Sequence, residues 1–92
     1  MIGTVGKYGL MRRTYLEENR PVEYQKMVRE GTLEAHLVEV NTEAKRQMEL
    51  QMEALNKTHP APDQNDFLAT VQHKNMLKEM AEEFVLPQVV YA

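Results

Sequence analysis

The side chains that could carry chemistry in this chain are three histidines and fourteen carboxylates. A carboxylate metal site inside a helical bundle uses paired Glu-x-x-His units on facing helices, and the sequence contains no such pair. His36 lies three residues before Glu39, and this single pair supplies only part of the ligand set that such a metal site needs. We therefore expect His36 to be structural or solvated, His59 to cap a helix or face solvent, and His73 to lie on a polar helix edge.

The carboxylates are spaced as solvated helix surfaces usually are. Glu39 and Glu43 lie four residues apart, as do Glu49 and Glu53, and like charges at this spacing weakly destabilise a helix. A carboxylate acid–base pair would need one group buried beside the other, with pKa values pushed apart. Neither this pattern nor a phosphate loop, a nucleophile elbow or a dinucleotide fingerprint is present. We expect a protein that is not an enzyme.

The bulk composition points to one small globular domain. Ninety-two residues suffice for a single modest core, and 42% apolar with 27% charged residues is ordinary for such a chain. Seven methionines and no tryptophan predict an adaptable core. The absence of cysteine excludes disulfides and thiolate metal sites. We expect no cofactor and no metal.

No apolar run approaches the roughly 18 residues of a membrane span, and the first residues lack the apolar segment of a signal peptide. We therefore expect a cytoplasmic protein with no membrane partner.

Charge is unevenly distributed along the chain. Residues 1–31 hold six Lys and Arg against four Glu, whereas residues 32–92 hold five against ten Asp and Glu. A duplex-binding domain presents a dominant basic face, because phosphate neutralisation supplies most of its affinity. Only the first third of this chain could do so.

The hydrophobic pattern predicts an all-α fold: a small helical bundle in which two short N-terminal helices pack on a long antiparallel helical hairpin. The first helix spans 7–18. The second spans 21–30, with Pro21 in its first turn, Gly31 as its left-handed C-cap, and Val22, Met27 and Val28 buried.

The residue pattern of the second half of the chain predicts the long helical hairpin. Thr32 is placed to cap a segment over 32–57, which is either one helix or two helices broken at Asn41; we favour the break. Two prolines predict a loop over 56–64. The last helix, 65–86, carries a broad apolar face, and Pro87 ends or kinks it before an apolar tail that must pack on something. That face comprises Phe67, Leu68, Val71, Met76, Leu77, Met80, Ala81, Phe84 and Val85.

The stretch "EYQKMVREGTLEAHLVEV" admits a loose helix–turn–helix interpretation. Its second helix would expose Glu34, Glu39 and Glu43, which would repel the phosphates that line a major groove. Acidic side chains can read cytosine only when basic neighbours hold the DNA backbone. Here those neighbours would be Lys7, Arg12, Arg13 and Arg20, all from the N-terminal segment.

Two blocks of the sequence resemble the TnpV family of small transposon-encoded proteins. The first is "GKYGLMRRTYLEENRPVEYQKMVREGTLEAHLVEVNTEA", with its Gly-Lys-Tyr-Gly, basic pair and Asn-Arg-Pro break; the second is "DFLATVQHKNMLKEMAEEFVLPQVVYA". The chain departs from the family pattern at Thr70, where tryptophan is usual, and at Pro87, where a polar residue is. The resemblance implies a gene carried on a mobile element of Gram-positive bacteria, and it implies no catalytic or ligand-binding residue.

Two functions follow from these observations. The first is a non-enzymatic accessory protein that binds another protein, either the element's own recombinase or a host nuclease that it inhibits. The alternative is a small, excisionase-like DNA-binding cofactor of recombination that uses the basic N-terminal edge. A homodimer is a further expectation, because small Met-rich helical proteins often complete their core against a copy.

We expect Arg12 and Arg13 to form an exposed edge for recognition, since Tyr and Arg concentrate binding energy at interfaces. The candidate partner-binding residues are Lys7, Tyr8, Arg12, Arg13, Arg20, Tyr24, Glu34, Glu39 and Glu43.

Overall fold

The computed structural model describes residues 5–60 and 65–92, and these residues form helices and no strand. The elements are α1 (Lys7–Asn19), α2 (Pro21–Glu30), α3 (Leu33–Thr58), α4 (Phe67–Val85) and a short π-helix (Leu86–Val90). Helices α3 and α4 pack as an antiparallel hairpin, and α1 and α2 pack on α3. The predicted all-α bundle of two short helices on a long hairpin is confirmed.

The connection between α2 and α3 follows from Gly31, whose φ of 72° is left-handed and favours glycine. The Gly31 N–H donates to the Val28 carbonyl and the Thr32 N–H donates to the Met27 carbonyl, which closes the helix as a Schellman motif. This predicted C-cap is confirmed. The predicted burial of α2 is wrong for Val22 and Val28, which are 81% and 47% exposed, whereas Met27 is half-buried and packs against the cluster of Val5, Leu16 and Leu37.

Helix α3 is one continuous helix of 26 residues, so the favoured break at Asn41 is wrong. The Asn41 side chain does not start a new helix, because its oxygen accepts hydrogen bonds from the beginning of α1. Thr32 precedes α3 but makes no side-chain capping bond.

The loop predicted over 56–64 begins later than expected. Residues 56–58 are the last turn of α3, and the C-cap is His59, whose φ and ψ of −126° and 78° are not helical, because the following Pro60 disfavours helical values there. Residues 61–64 lie outside the described part of the chain.

Helix α4 begins at Asp66, whose side chain accepts from the Ala69 N–H at 3.1 Å, and ends at Val85. Pro87 has no N–H to continue the ladder, and the chain turns into a π-helix closed by the Tyr91 N–H donating to the Leu86 carbonyl at 2.8 Å. The wider turn brings Val90 into the core, where it is fully buried. The prediction that the tail must pack is confirmed.

The core lies at one end of a molecule that measures 53 × 22 × 19 Å. Every buried residue of α3 lies before position 49, and every buried residue of α4 lies after position 76. We call this end, formed by residues 5–48 and 77–92, the compact end, and we call residues 49–58 and 67–76 the hairpin arm. Of the predicted apolar face of α4 only Leu77, Ala81 and Val85 are buried, while Phe67 in the arm is 82% exposed.

None of the helices in the described part of the chain is both long and apolar enough to span a bilayer.

Candidate functional site

Two glycines let α1 approach α3 closely. Gly6 has a φ of 90°, and a Cβ there would collide with the Asn41 side chain. A Cβ on Gly9 would collide with Val5 and lie 2.8 Å from the Leu37 carbonyl oxygen of α3. The space is used for capping: the Asn41 Oδ1 accepts from the Tyr8 N–H at 3.0 Å and the Gly9 N–H at 3.3 Å. Asn41 thus does for α1 what an N-cap side chain does, because Gly6 has none.

The next pair of residues joins α1 to α4 at Glu82. The Lys7 ammonium lies 3.0 Å from the Glu82 Oε1, and the Tyr8 hydroxyl donates to the same oxygen at 3.1 Å. Burial raises the pKa of Tyr8 to about 12, and its bond to Glu82 adds to the shift. Burial alone would raise the pKa of Glu82, but the bonds from Lys7 and Tyr8 outweigh it and lower that pKa.

Arg12 is 7% exposed, so the predicted exposed edge is wrong at this position. Its Nη1 donates to the main-chain oxygens of Val90 at 3.1 Å and Ala92 at 2.6 Å. Its Nε donates to the His36 Nε2 at 3.3 Å, so His36 is structural, as expected. Arg12 fastens the C-terminal segment to α1 and α3, which makes it a structural residue of the compact end.

This arrangement favours the neutral form of the His36 imidazole by lowering its pKa. Burial lowers its pKa, the charge of Arg12 lowers it further, and Glu39 and Glu23 oppose the shift in part. A neutral ring keeps the Nε2 lone pair available to accept from Arg12.

An aromatic cluster adjoins Arg12. The rings of Tyr15 and Tyr91 lie 5.5 Å apart and are tilted by 48°. The guanidinium groups of Arg12 and Arg20 lie 5.5 and 5.9 Å from the Tyr15 ring centroid. Tyr15 is thus held between two cations and the C-terminal segment, at distances typical of cation–π contacts.

Two further predicted cations, the half-buried Arg13 and the exposed Arg20, are paired with nearby glutamates. Arg13 lies 3.1 Å from Glu17, and Arg20 lies 3.5 Å from Glu23. Tyr24 is half-buried and packs against the cluster of Val5, Leu16 and Leu37. The structure thus places Arg13 and Arg20 on the surface of the N-terminal helices, separate from Arg12.

The three predicted glutamates of α3 do not gather at one point. Glu34 and Glu39 are exposed on separate turns. Glu43 accepts from Arg46 and Gln47, and these bonds lower its pKa to about 2. Glu39 and Glu43 line a shallow groove of about 400 Å³ beside His36 and Gln88. This groove is polar, and no cluster of His and carboxylates suited to a metal occurs among the described residues.

A comparison with protein-family models finds a family that matches this chain. The model of the family described as transposon-encoded protein TnpV matches residues 2–90, nearly the whole chain. The chain belongs to the TnpV family. No curated protein and no solved structure matches it.

The contacts above assign structural roles to the residues by which TnpV resemblance was recognised. Gly6 and Gly9 permit the α1–α3 contact, Tyr8 and Glu82 join α1 to α4, and Arg12 holds the C-terminal segment. The sequence analysis missed the partnership of Glu82 with Lys7 and Tyr8, because it interpreted the carboxylates as solvated helix surface.

The two remaining histidines, His59 and His73, link the end of α3 to α4. His59 ends α3, and its carbonyl oxygen lies 2.9 Å from the His73 Nε2 on α4. His73 is half-buried at this point, in agreement with its predicted position on a polar edge.

Proposed function

We propose that this TnpV protein is a non-enzymatic accessory factor of its mobile element and acts by binding another protein. The partner is either the element's own recombinase or a host nuclease directed against nucleic acid, which the protein would inhibit by competing for a basic channel. The supporting observation is that four N-terminal cations already make ion pairs or hydrogen bonds within the chain. These cations are Lys7, Arg12, Arg13 and Arg20.

Engaged cations weaken the case for phosphate binding. Arg12 is buried and cannot reach a duplex, and each of the other three lies beside a glutamate that partly cancels its charge. Affinity for duplex DNA grows with the number of phosphates that free cations neutralise. The acidic residues after Thr32 add a repulsive term.

The alternative, an excisionase-like DNA-binding cofactor, draws support from α2. Lys26 and Arg29 are exposed and make no ion pair within the described residues. They would be the primary phosphate contacts of this second candidate, together with the more weakly held Arg20.

Two measurements separate the candidates. Affinity capture with the full chain, from a cell that carries its element and after nuclease treatment of the lysate, should retain a protein partner if the first proposal is right. Gel shifts with duplex DNA over a salt series should show weak binding. Tight binding that falls steeply with salt and is lost in Lys26→Ala/Arg29→Ala would establish the DNA-binding alternative instead.

Self-association is part of the same proposal, and the hairpin arm is the surface for it. Phe67 and Leu68 are 82% and 64% exposed, and no described residue between 49 and 76 is buried. Sedimentation equilibrium of the wild type and of Phe67→Ser/Leu68→Ser tests this: a dimer should form in the first and weaken in the second. A concentration-independent monomer would contradict it.

A further inference from the structure

Two shallow grooves share Tyr91 as a lining residue. The first, of about 410 Å³, is lined by α4 and the π-helix. The second, of about 380 Å³, is lined by α1. Tyr91 lines both and is 41% exposed. We call the two grooves together the Tyr91 groove.

The Tyr91 groove is preformed by contacts already described. The Tyr91 N–H donates to the Leu86 carbonyl, and the Tyr91 ring lies against Tyr15. Arg12 fixes the main chain on both sides of Tyr91 through Val90 and Ala92. A surface that is already ordered loses little entropy on binding, which favours affinity.

The groove combines an apolar floor with an acidic rim. Leu86, Pro87 and Tyr91 form the floor beside α4, and Met11 and Tyr15 form it beside α1. The rim carries the four carboxylates of Glu18, Glu79, Glu82 and Glu83. No lysine or arginine lines either of the two grooves.

Three of the rim carboxylates have no cation of their own. Glu82 is bound by Lys7 and Tyr8, but Glu18, Glu79 and Glu83 are exposed and make no ion pair in the described part of the chain. Unlike the glutamates beside Arg13, Arg20 and Arg46, they remain available to an external cation. Tyr15 and Tyr91 add ring faces, which attract Lys and Arg as well.

We propose that the Tyr91 groove is the docking site for a lysine- and arginine-rich segment of the partner protein. Cations of that segment meet Glu18, Glu79 and Glu83, and an apolar side chain between them rests on Leu86 and Tyr91. This inference rests on the proposed protein-binding function and specifies the chemistry of the partner. Nucleic acid does not fit, because its phosphates carry the same charge as the rim.

The test uses fluorescence anisotropy with a fluorescein-labelled synthetic peptide of arginine–lysine pairs separated by leucines. A charge-reversed peptide, with glutamate at every basic position, is the probe control. Full-length Glu79→Gln/Glu83→Gln removes two rim charges, and Glu49→Gln/Glu53→Gln is the matched control: it has the same i,i+4 spacing and the same change in net charge but lies in the hairpin arm.

We expect the basic peptide to bind the wild type and the charge-reversed peptide not to bind. Glu79→Gln/Glu83→Gln should weaken binding on the order of tenfold, and the arm variant should change it less than about twofold, because screened charges act mainly on near neighbours. Equal weakening by both variants, equal binding of both peptides, or no binding would overturn the groove proposal.

Failure of this proposal is distinguishable from failure of the proposed function. A captured protein partner that Glu79→Gln/Glu83→Gln retains in full would overturn the groove and leave protein binding intact. A change in the sedimentation mass of the protein alone in this variant would overturn the groove proposal in favour of a second copy as occupant. Absence of any captured protein would overturn the proposed function itself.

Discussion

The compact end and the hairpin arm are made from the same two long helices but are held together differently. In the compact end α1 and the C-terminal segment cover the hairpin, and residues such as Leu16, Leu77 and Val90 are fully buried. In the arm the described residues of α3 and α4 contribute none that is buried. An amphipathic helix gains most of its stability from tertiary packing, so stability should be concentrated where a third element is present.

The largest expected difference concerns apolar truncation. Leu16→Ala should lower the free energy of unfolding by about 3 kcal/mol, because it leaves a cavity in the compact end. Phe67→Ala removes a larger side chain from the arm, yet at protein concentrations low enough to keep the chain monomeric it should change the free energy of unfolding by no more than about 0.5 kcal/mol, since Phe67 is 82% exposed in the single chain. Urea denaturation measures both. A larger loss in Phe67→Ala would show that the arm is packed in solution.

The second difference lies between two adjacent arginines. Arg12→Met leaves the carbonyls of Val90 and Ala92 without their donor and should cost about 2 kcal/mol. Arg13→Met removes a partly exposed guanidinium that pairs with Tyr24 and with Glu17 at i+4, and because neither partner is left buried without a donor it should cost less than about 1 kcal/mol. Chemical denaturation of the two variants compares them. Similar losses would mean that Arg12 does not hold the C-terminal segment.

A smaller effect is expected from removing the cap that Asn41 of α3 supplies to the beginning of α1. Asn41→Ala removes the acceptor for the Tyr8 and Gly9 amides and should cost about 1 kcal/mol, the usual cost of losing an N-cap side chain. Asn75→Ala, at an exposed position of α4, is the control and should be neutral or slightly stabilising. Amide hydrogen exchange should show faster exchange at Tyr8 and Gly9 in the first variant alone.

The smallest expected effect is a dependence on pH through His36. Its pKa is lowered in the folded protein, so the unfolded chain binds more protons as the pH falls below about 6.5. The contribution of His36 to stability is therefore complete above that pH and is lost as the pH falls toward the lowered pKa. His36→Gln keeps an acceptor for Arg12 and should show a shallower loss of urea midpoint between neutral and mildly acidic pH. An unchanged slope would contradict this assignment.

The sequence by itself determined approximately where the helices begin and end, because local signals decide those positions, but it did not determine that α3 continues through Asn41. Pro21 and Gly31 bound α2, Asp66 caps the start of α4, and α3 ends at Thr58, two residues before Pro60. The family resemblance also rested on sequence alone, and the match over residues 2–90 confirms it.

Tertiary structure alone decided which residues of those helices are buried, which are exposed and which bond to another element. Asn41 has the signature of a local cap and instead caps α1, Arg12 has the signature of a surface cation and is buried, and Phe67 has the periodicity of a core residue and is exposed. Each outcome depends on what another element brings to that position, through contacts that span up to 80 residues of chain. Periodicity records which side of a helix is apolar, but burial depends on whether a third element covers that side.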